Sequence, residues 1–371
     1  MTFCGLSGYL EYIMKTILVD SSYLMYKSYF AYPNLTHEGK PVGAFFGFAK
    51  TVIELVRHYR PDEIVFACDT PKPTWRHKTM DGYKAGRAEI ESDLVAQIPL
   101  IHAWSRKVSQ NYFAFEGWEA DDVIFSVCLD LLTNFQSVSK TELKKQSSDI
   151  LDLFADETPS VIPSFPYRFD ELKLKADQKD NMIRIFSSDR DLYQLFSLDN
   201  LSFINSSKGD LSEFSRQNFK TKYELEPLQW LDYKALVGDG SDNLKGVEGI
   251  GPKTATNFLQ RVGSLYVFFD KLGLDKMPFI RTAGASWVGN DIEAFLKEKK
   301  NEKLIEKLKT NHKVIVDTYI LSALHPVPEA QFGLCGIDLT AGIKELEECG
   351  FKSLLTMVKK LEPVDEQEGL F

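Results

Sequence analysis

The sequence predicts an α/β fold with a central, mostly parallel sheet flanked by helices, on three observations. Residues 16–19 (Thr-Ile-Leu-Val), 64–68 (Ile-Val-Phe-Ala-Cys) and 182–186 (Met-Ile-Arg-Ile-Phe) are short apolar runs with polar boundaries, the pattern of buried strands. Helical periodicity fills the intervals, at 44–57 before the second run and at 88–108 and 121–132 before the third, and strands alternating with helices imply a parallel sheet. Each run leads to an aspartate: Asp20, Asp69 and, through two serines, Asp189. Ligand sites in open parallel sheets gather beyond the carboxyl ends of the strands, so the three aspartates are expected to share a crevice.

The 371 residues suffice for a large core with or without an accessory domain. A hydrophobic fraction of 44% and a charged fraction of 26% are ordinary for a soluble protein. No apolar run reaches the roughly 18 residues of a membrane span, so no membrane partner is expected. Residues 1–13 contain no Lys or Arg ahead of their apolar residues. They are read as an N-terminal extension or alternative start rather than a secretory signal. Five cysteines, an odd number without a CxxC pair, argue against a disulfide framework or a zinc site and fit a reducing cytoplasm. The net charge of −9 alone argues against a nucleic-acid partner. A local basic surface is nevertheless present: Lys72, Arg76, Lys78, Lys84 and Arg87 fall in one segment whose only acid is Asp81.

The expected organisation is a core over 14–232, a C-terminal unit over 233–361 and a mobile tail over 362–371. Within the core, 133–180 carries Ser-Ser, Thr-Pro and Pro-Ser-Phe-Pro punctuation and reads as an inserted surface segment, helical in part at 140–154. The glycine-rich stretch 238–252 opens a helix at 253–261, and further helices are expected at 291–310 and 344–361.

More carboxylates join the three after strands: Glu119, Asp121 and Asp122 in Glu-Ala-Asp-Asp, Asp191 in Ser-Asp-Arg-Asp, and Asp239 and Asp242 in Gly-Asp-Gly-Ser-Asp-Asn. If they converge, each like-charged pair about 4 Å apart repels by about 4 kcal/mol at an effective dielectric near 20. Protonation or metal must relieve such a cluster. Oxygen-only ligands favour Mg²⁺, Mn²⁺ or Ca²⁺ over zinc, and two hard cations about 4 Å apart are the recurrent device for cutting phosphodiesters.

Five ordered motifs carry a resemblance: Ile17-Leu18-Val19-Asp20-Ser21-Ser22, Val65-Phe66-Ala67-Cys68-Asp69, Gly117-Trp118-Glu119-Ala120-Asp121-Asp122-Val123-Ile124, Ser187-Ser188-Asp189-Arg190-Asp191-Leu192 and Gly238-Asp239-Gly240-Ser241-Asp242-Asn243. In this order the chain resembles the flap endonuclease and 5′-3′ exonuclease family, above all the 5′-nuclease domain of bacterial DNA polymerase I and the free-standing phage 5′-exonucleases. The likeness runs from Met14 to about Leu361, interrupted mainly by 133–180. It implies a PIN-like 5′-nuclease core with a helical arch at about 71–110 and a C-terminal helix–hairpin–helix-type subdomain. It also implies a two-metal hydrolase of DNA, using Mg²⁺ with Mn²⁺ able to substitute, in lagging-strand processing or repair. Asp20, Asp69, Glu119 and Asp121 would form the first metal site and Asp189, Asp191 and Asp242 the second. Asp122 and Asp239 would act through water or from behind the ligands.

Tyr83-Lys84-Ala85-Gly86-Arg87 is similar to the family's Tyr-Lys-x-Asn-Arg, with Gly86 in place of Asn. The resemblance puts Lys84 and Arg87 at the scissile phosphate, stabilising its growing charge, and Arg76 and Lys78 on DNA. Tyr83 would stack on a base or else pack in the core. Gly86 puts the stiffness of the first arch turn in doubt, because Gly costs about 1 kcal/mol in a helix. Gly246-Val247-Glu248-Gly249-Ile250-Gly251-Pro252-Lys253 fails as a dinucleotide fingerprint, its order being GxxGxG. It matches the family's duplex-gripping hairpin, in which Gly249 and Gly251 let amides approach a phosphate, Lys253 adds charge and the loop carbonyls hold K⁺. The terminal Gln367-Glu368-Gly369-Leu370-Phe371 resembles the peptide by which bacterial replication enzymes bind a sliding clamp, through Gln367, Leu370 and Phe371. Expected partners are therefore branched or 5′-ended DNA, RNA-primer hybrids and a clamp.

Rival readings fit less well. A haloacid-dehalogenase-like phosphatase wants a second Asp two residues after the first, where Ser22 stands. A PIN-domain ribonuclease would not need the basic segment or the glycine hairpin. A silent DNA-binding scaffold would not need every carboxylate.

Overall fold

The computed structural model describes residues 13–87, 89–132, 181–207, 210–274, 291–328 and 330–361. The expected extension up to residue 12, the insertion at 133–180 and the tail with Gln367, Leu370 and Phe371 lie outside the described residues.

Six strands form the main sheet: β1 (Lys15–Asp20), β4 (Glu63–Ala67), β5 (Tyr112–Phe113), β6 (Met182–Phe186), β7 (Leu201–Ser207) and β8 (Asp210–Ser215). Two short strands, β2 (Thr36–His37) and β3 (Lys40–Pro41), make a separate hairpin. The sheet order is β5-β4-β1-β6-β7-β8. Every pairing is parallel except β7 with β8. The expectation of a mostly parallel sheet is met, and β5, β7 and β8 extend it at the edges. β1 lies between β4 and β6, with Asp20 opposite Ala67 and Val19 opposite Phe186. The chain therefore leaves the middle strand for one neighbour and reaches the other later, which opens a crevice at the shared carboxyl ends.

Both faces of the sheet are covered, which is why its strands read as continuous apolar runs rather than alternating ones. Leu18, Val65, Ile183 and Ile185 face one core with α6 (Ala120–Leu132). Ile17, Val19, Ile64, Phe66 and Phe186 face the other, against α1 (Ser21–Ala31), α2 (Gly43–Tyr59) and α5 (Ile98–Val108).

The expected helix at 88–108 is instead a short α4 (Ser92–Val95) followed by α5, with Pro99 in the first turn of α5. Proline disfavours helix in the residue before it and suits a first turn. Gln97, at the break, accepts from the amides of Ala44 (2.8 Å) and Phe45 (3.2 Å) and so caps α2, whose own N-cap, Val42, has no side-chain acceptor. Upstream, α3 (Trp75–Thr79) ends before the basic motif, and 81–86 form turns, with Lys84 at φ 57. The expected helical first turn of an arch is absent there. Gly82 and Lys84 take left-handed backbone angles that no helix contains.

The C-terminal half is helical: α7 (Arg216–Tyr223), α8 (Trp230–Val237), α9 (Pro252–Val262), α10 (Leu265–Lys271), α11 (Ile292–Lys297), α12 (Glu302–Thr310), α13 (His312–Ser322), α14 (Ile343–Glu348) and α15 (Lys352–Lys359). The expected helix at 344–361 is split by Gly350, at φ 69, into α14 and α15. Strands β9 (Gly238–Asp239) and β10 (Leu244–Lys245) pair antiparallel ahead of the glycine-rich hairpin. A Cβ on Gly238 would lie 2.3 Å from the backbone nitrogen of Gly246, so this crossing requires glycine. Among the described residues no helix is long and apolar enough to cross a membrane.

Candidate active site

Strand geometry delivers the first carboxylates. Asp20 ends β1 and caps α1, its Oδ1 accepting from the Tyr23 amide at 2.9 Å. Its Oδ2 accepts from Ser187 Oγ at 2.8 Å, and that hydroxyl in turn accepts from the Asp189 amide at 3.0 Å. One serine thus ties the end of β1 to the end of β6. Asp69 follows β4 and is exposed, its Oδ1 accepting from the Ala120 amide (2.8 Å) at the start of α6. Asp121, in the same first turn, is half-buried.

The electrostatics show that these groups crowd one another. Burial, then the charge of Asp69, pushes the Asp20 carboxyl from 3.8 up to about 7. Burial, then Asp189 and Asp20, pushes Asp121 well above the carboxylate range. Oxygen donors that raise one another in this way match, in donor chemistry, the set a hard divalent cation neutralises. Among the described residues, as the side chains stand, no group of three or more His, Cys, Asp or Glu is placed to hold a metal ion.

The remaining acids are held by cations of the chain. Lys84 Nζ reaches Glu119 Oε1 at 2.9 Å and lies 3.9 Å from Asp242 Oδ2, while Arg87 donates to Asp242 Oδ1 at 2.8 Å. Burial pulls the Lys84 ammonium down, but Glu119 and then Asp242 outweigh it and hold it above its ordinary value. Lys234, on α8 and 4% exposed, bridges Asp191 and Asp239. Burial pushes Asp191 up to about 7 against the pull of Lys234. Burial also raises Asp239, but Lys234 and Ser241 prevail and bring it down to about 2. Lys234 was not among the expected site residues. A lysine inside an apolar helix, five positions before Asp239, is the signal that marks it. The Ser187–Arg190 loop is fixed from the same helix by Trp230 Nε1, which donates to the Arg190 carbonyl at 2.7 Å.

One expectation is corrected, and two that the sequence left open are narrowed. Arg76 does not face DNA. It is 3% exposed and donates to both oxygens of Asp122 (2.7 and 2.9 Å), to Glu119 Oε2 (3.3 Å) and to the carbonyls of Leu321 and Ala323 (2.9 and 2.7 Å). Asp122 therefore stands behind Glu119, whose amide it also accepts from, rather than in direct reach of an ion. It is wholly buried, and burial raises its carboxyl but Arg76 outweighs this and holds it below its ordinary value. Tyr83 offers no ring for stacking. It is 5% exposed, packs edge-on against His77 at 5.1 Å and donates its hydroxyl toward Glu119 and Asp242, both at 3.2 Å.

Lys78 is exposed, as are Gly249, Gly251 and Lys253 at the glycine hairpin. Gly249 takes φ 73. Gly251 is the N-cap of α9 and Pro252 its first residue. Lys307, from α12, donates to the Glu248 carbonyl at 2.9 Å on the same turn.

Fold and site together define the class, an α/β domain with a mostly parallel sheet, acids at its strand ends, and lysines and an arginine paired with acids of the site. Two family models match in sequence: the N-terminal resolvase-like domain of 5′-3′ exonucleases over residues 15–161 and their C-terminal SAM fold over 225–325. The 5′-3′ exonuclease of Aquifex aeolicus is 32% identical over 254 residues, covering 68% of this chain and 71% of that protein. The thermostable DNA polymerase I of Thermus thermophilus is 33% identical over 254 residues, 68% of this chain but 24% of that protein, so the chain spans about a quarter of that larger relative. Among solved structures, T5 5′-exonuclease with zinc ions bound and T5 flap endonuclease in complex with DNA and metal ions each align with TM-score 0.50 at 19% identity. Each alignment covers 93% of this chain and 97% of the other. The chain belongs to the 5′-3′ exonuclease family.

Proposed function

We propose that the chain is a divalent-metal-dependent nuclease that cuts DNA phosphodiesters at 5′ ends and 5′ flaps. The observation that carries this is the delivery of Asp20, Asp69, Asp121 and Asp189 to one cleft by three parallel strands and a helix N-terminus, with Lys84 and Arg87 beside it. Asp20, Asp69, Glu119 and Asp121 would hold one Mg²⁺, and Asp189, Asp191 and Asp242 a second, with Asp239 acting through water. Mn²⁺ would substitute for Mg²⁺. Such ions, when bound, supply water activation and stabilise the leaving oxygen.

The chain's own groups do the rest. Lys84 and Arg87, now held by Glu119 and Asp242, are the donors for charge developing on the scissile phosphate. The Tyr83 hydroxyl keeps Glu119 and Asp242 in register with each other. The amides around Gly249 and Gly251, with Lys253, grip duplex phosphates without reading sequence, and a K⁺ ion on the loop carbonyls belongs to the same proposal. The T5 enzymes solved with DNA and metal ions and with divalent zinc ions support DNA and divalent metal as partners. We further propose that Gln367, Leu370 and Phe371 engage a sliding clamp, that RNA-primed ends are substrates, and that the work is cytoplasmic primer removal or repair.

The test is incubation with a 5′-flap DNA in Mg²⁺ and in EDTA, reading the cleavage position. Cuts within a nucleotide or so of the flap junction, in Mg²⁺ alone, are expected. Cleavage of single-stranded RNA in preference to flap DNA would overturn the reading in favour of a ribonuclease.

A further inference from the structure

The end of α13 is held in an unusual way. The last carbonyls of a helix lack partners within it, and here three successive ones are taken by buried side chains of the catalytic core. Arg76 donates to Leu321 and Ala323, and Gln194 Nε2 donates to Ser322 at 2.8 Å. Both side chains also touch the acidic segments of the site. Arg76 pairs with Asp122 and Glu119, and Gln194 Nε2 donates to the Asp191 carbonyl at 2.9 Å. Asp122 carries the tie further, accepting from the amides of Glu119 (3.3 Å) and His325 (3.0 Å).

Further along α13, Thr318 Oγ1 donates to the Lys245 carbonyl at 2.7 Å, at the foot of the glycine hairpin. A continuous path therefore runs from the hairpin through Thr318, along α13 and through Arg76 to Glu119. The planar guanidinium carries the branch that reaches Glu119, beside the branch through Gln194 to Asp191. It meets a carboxylate with two parallel N–H groups while its remaining donors reach two carbonyls, and its face lies 4.5 Å from the Trp75 ring. A lysine ammonium cannot hold that fork.

We propose that Arg76 is a positioning residue: by joining α13 to Glu119 it fixes the distance between the duplex-gripping hairpin and the acidic cleft, and so sets which phosphodiester is cut. The proposal rests on the nuclease reading above.

The experiment uses the full chain and one labelled 5′-flap DNA under saturating single-turnover conditions, with duplex affinity and thermal unfolding measured alongside. Arg76→Lys keeps the charge and loses the fork. The expected result is a rate lower by roughly 10²-fold, the effect of a misplacement near 1 Å, and products spread over neighbouring phosphodiesters, with duplex affinity little changed. Leu354→Ala, in the other core, is the control for stability alone. It should lower the melting temperature and keep a single cleavage position. A wild-type product position in Arg76→Lys, or a loss of rate matching the unfolded fraction, overturns the proposal. If Arg76→Lys does not fold, Thr318→Val breaks the far end of the path and decides alone: spread products support the proposal, and a single wild-type position overturns it. Failure of the wild-type chain to cut flap DNA at all would sink the nuclease reading itself, a distinguishable outcome.

Discussion

Asp20 makes stability depend on pH and on divalent metal together. Its carboxyl is 6% exposed and rises from 3.8 to about 7 through burial and the charge of Asp69. At about 1.4 kcal/mol per pKa unit, that change disfavours the ionised folded form by about 4 kcal/mol, a ceiling because Asp69 and Asp189 share the interaction. The folded chain binds the proton more tightly than the unfolded chain. Stability from this group is therefore complete below about pH 4 and is lost as pH rises toward 7. A divalent cation on the ionised cluster reverses the loss, adding about 2.7 kcal/mol at a hundredfold excess over its Kd, and it competes with protons, so it helps little in acid. The assay is urea unfolding in EDTA and in Mg²⁺, near pH 5.5 and near pH 8. Wild type in EDTA should be less stable at the higher pH, and Mg²⁺ should restore it there only. Asp20→Asn should lower the pH slope by the share of this one carboxyl, since Asp191 and Asp232 are also raised to about 7, while keeping the helix cap, since Asn caps as well as Asp. A slope unchanged in Asp20→Asn, or equal Mg²⁺ stabilisation at both pH values, refutes the argument.

Asp121→Asn should abolish Mg²⁺-dependent cleavage while leaving DNA affinity equal or tighter, since a charge near phosphates is removed; full activity in Mg²⁺ contradicts the assignment. Lys84→Ala should lower the saturated single-turnover rate by roughly 10²–10³, whereas Lys253→Ala should weaken duplex binding and flatten its salt dependence. The reverse pattern in paired kinetic and binding titrations would exchange their roles. Replacing 133–180 by a short Gly/Ser linker should leave a cooperatively folding nuclease, because Asn181 Nδ2 donates to the Leu131 carbonyl at 2.9 Å and brings the two ends of the segment together; a broad, non-cooperative melt would show that the segment belongs to the core.

The parts legible in the sequence were those written in local pattern. Apolar runs ending in Asp20, Asp69 and Asp189 gave the sheet centre and the floor of the cleft, because strand burial and strand-end placement are short-range properties. The pairing of Arg76 with Asp122 was not legible. It spans 46 residues, and an arginine beside other bases looks like a DNA contact until its burial is known. The choice between stacking and core packing for Tyr83 stayed open for the same reason, since its partners Glu119 and Asp242 come from distant segments. The break at Gln97 was hidden because its side chain caps a helix some 50 residues upstream.

The three cations stationed on site carboxylates have a further consequence. Lys84, Arg87 and Lys234 already neutralise Glu119, Asp242, Asp191 and Asp239 from within the chain. On the metal-dependent reading proposed above, a divalent ion at those oxygens would have to displace a tethered ammonium or guanidinium rather than fill a bare anionic hole.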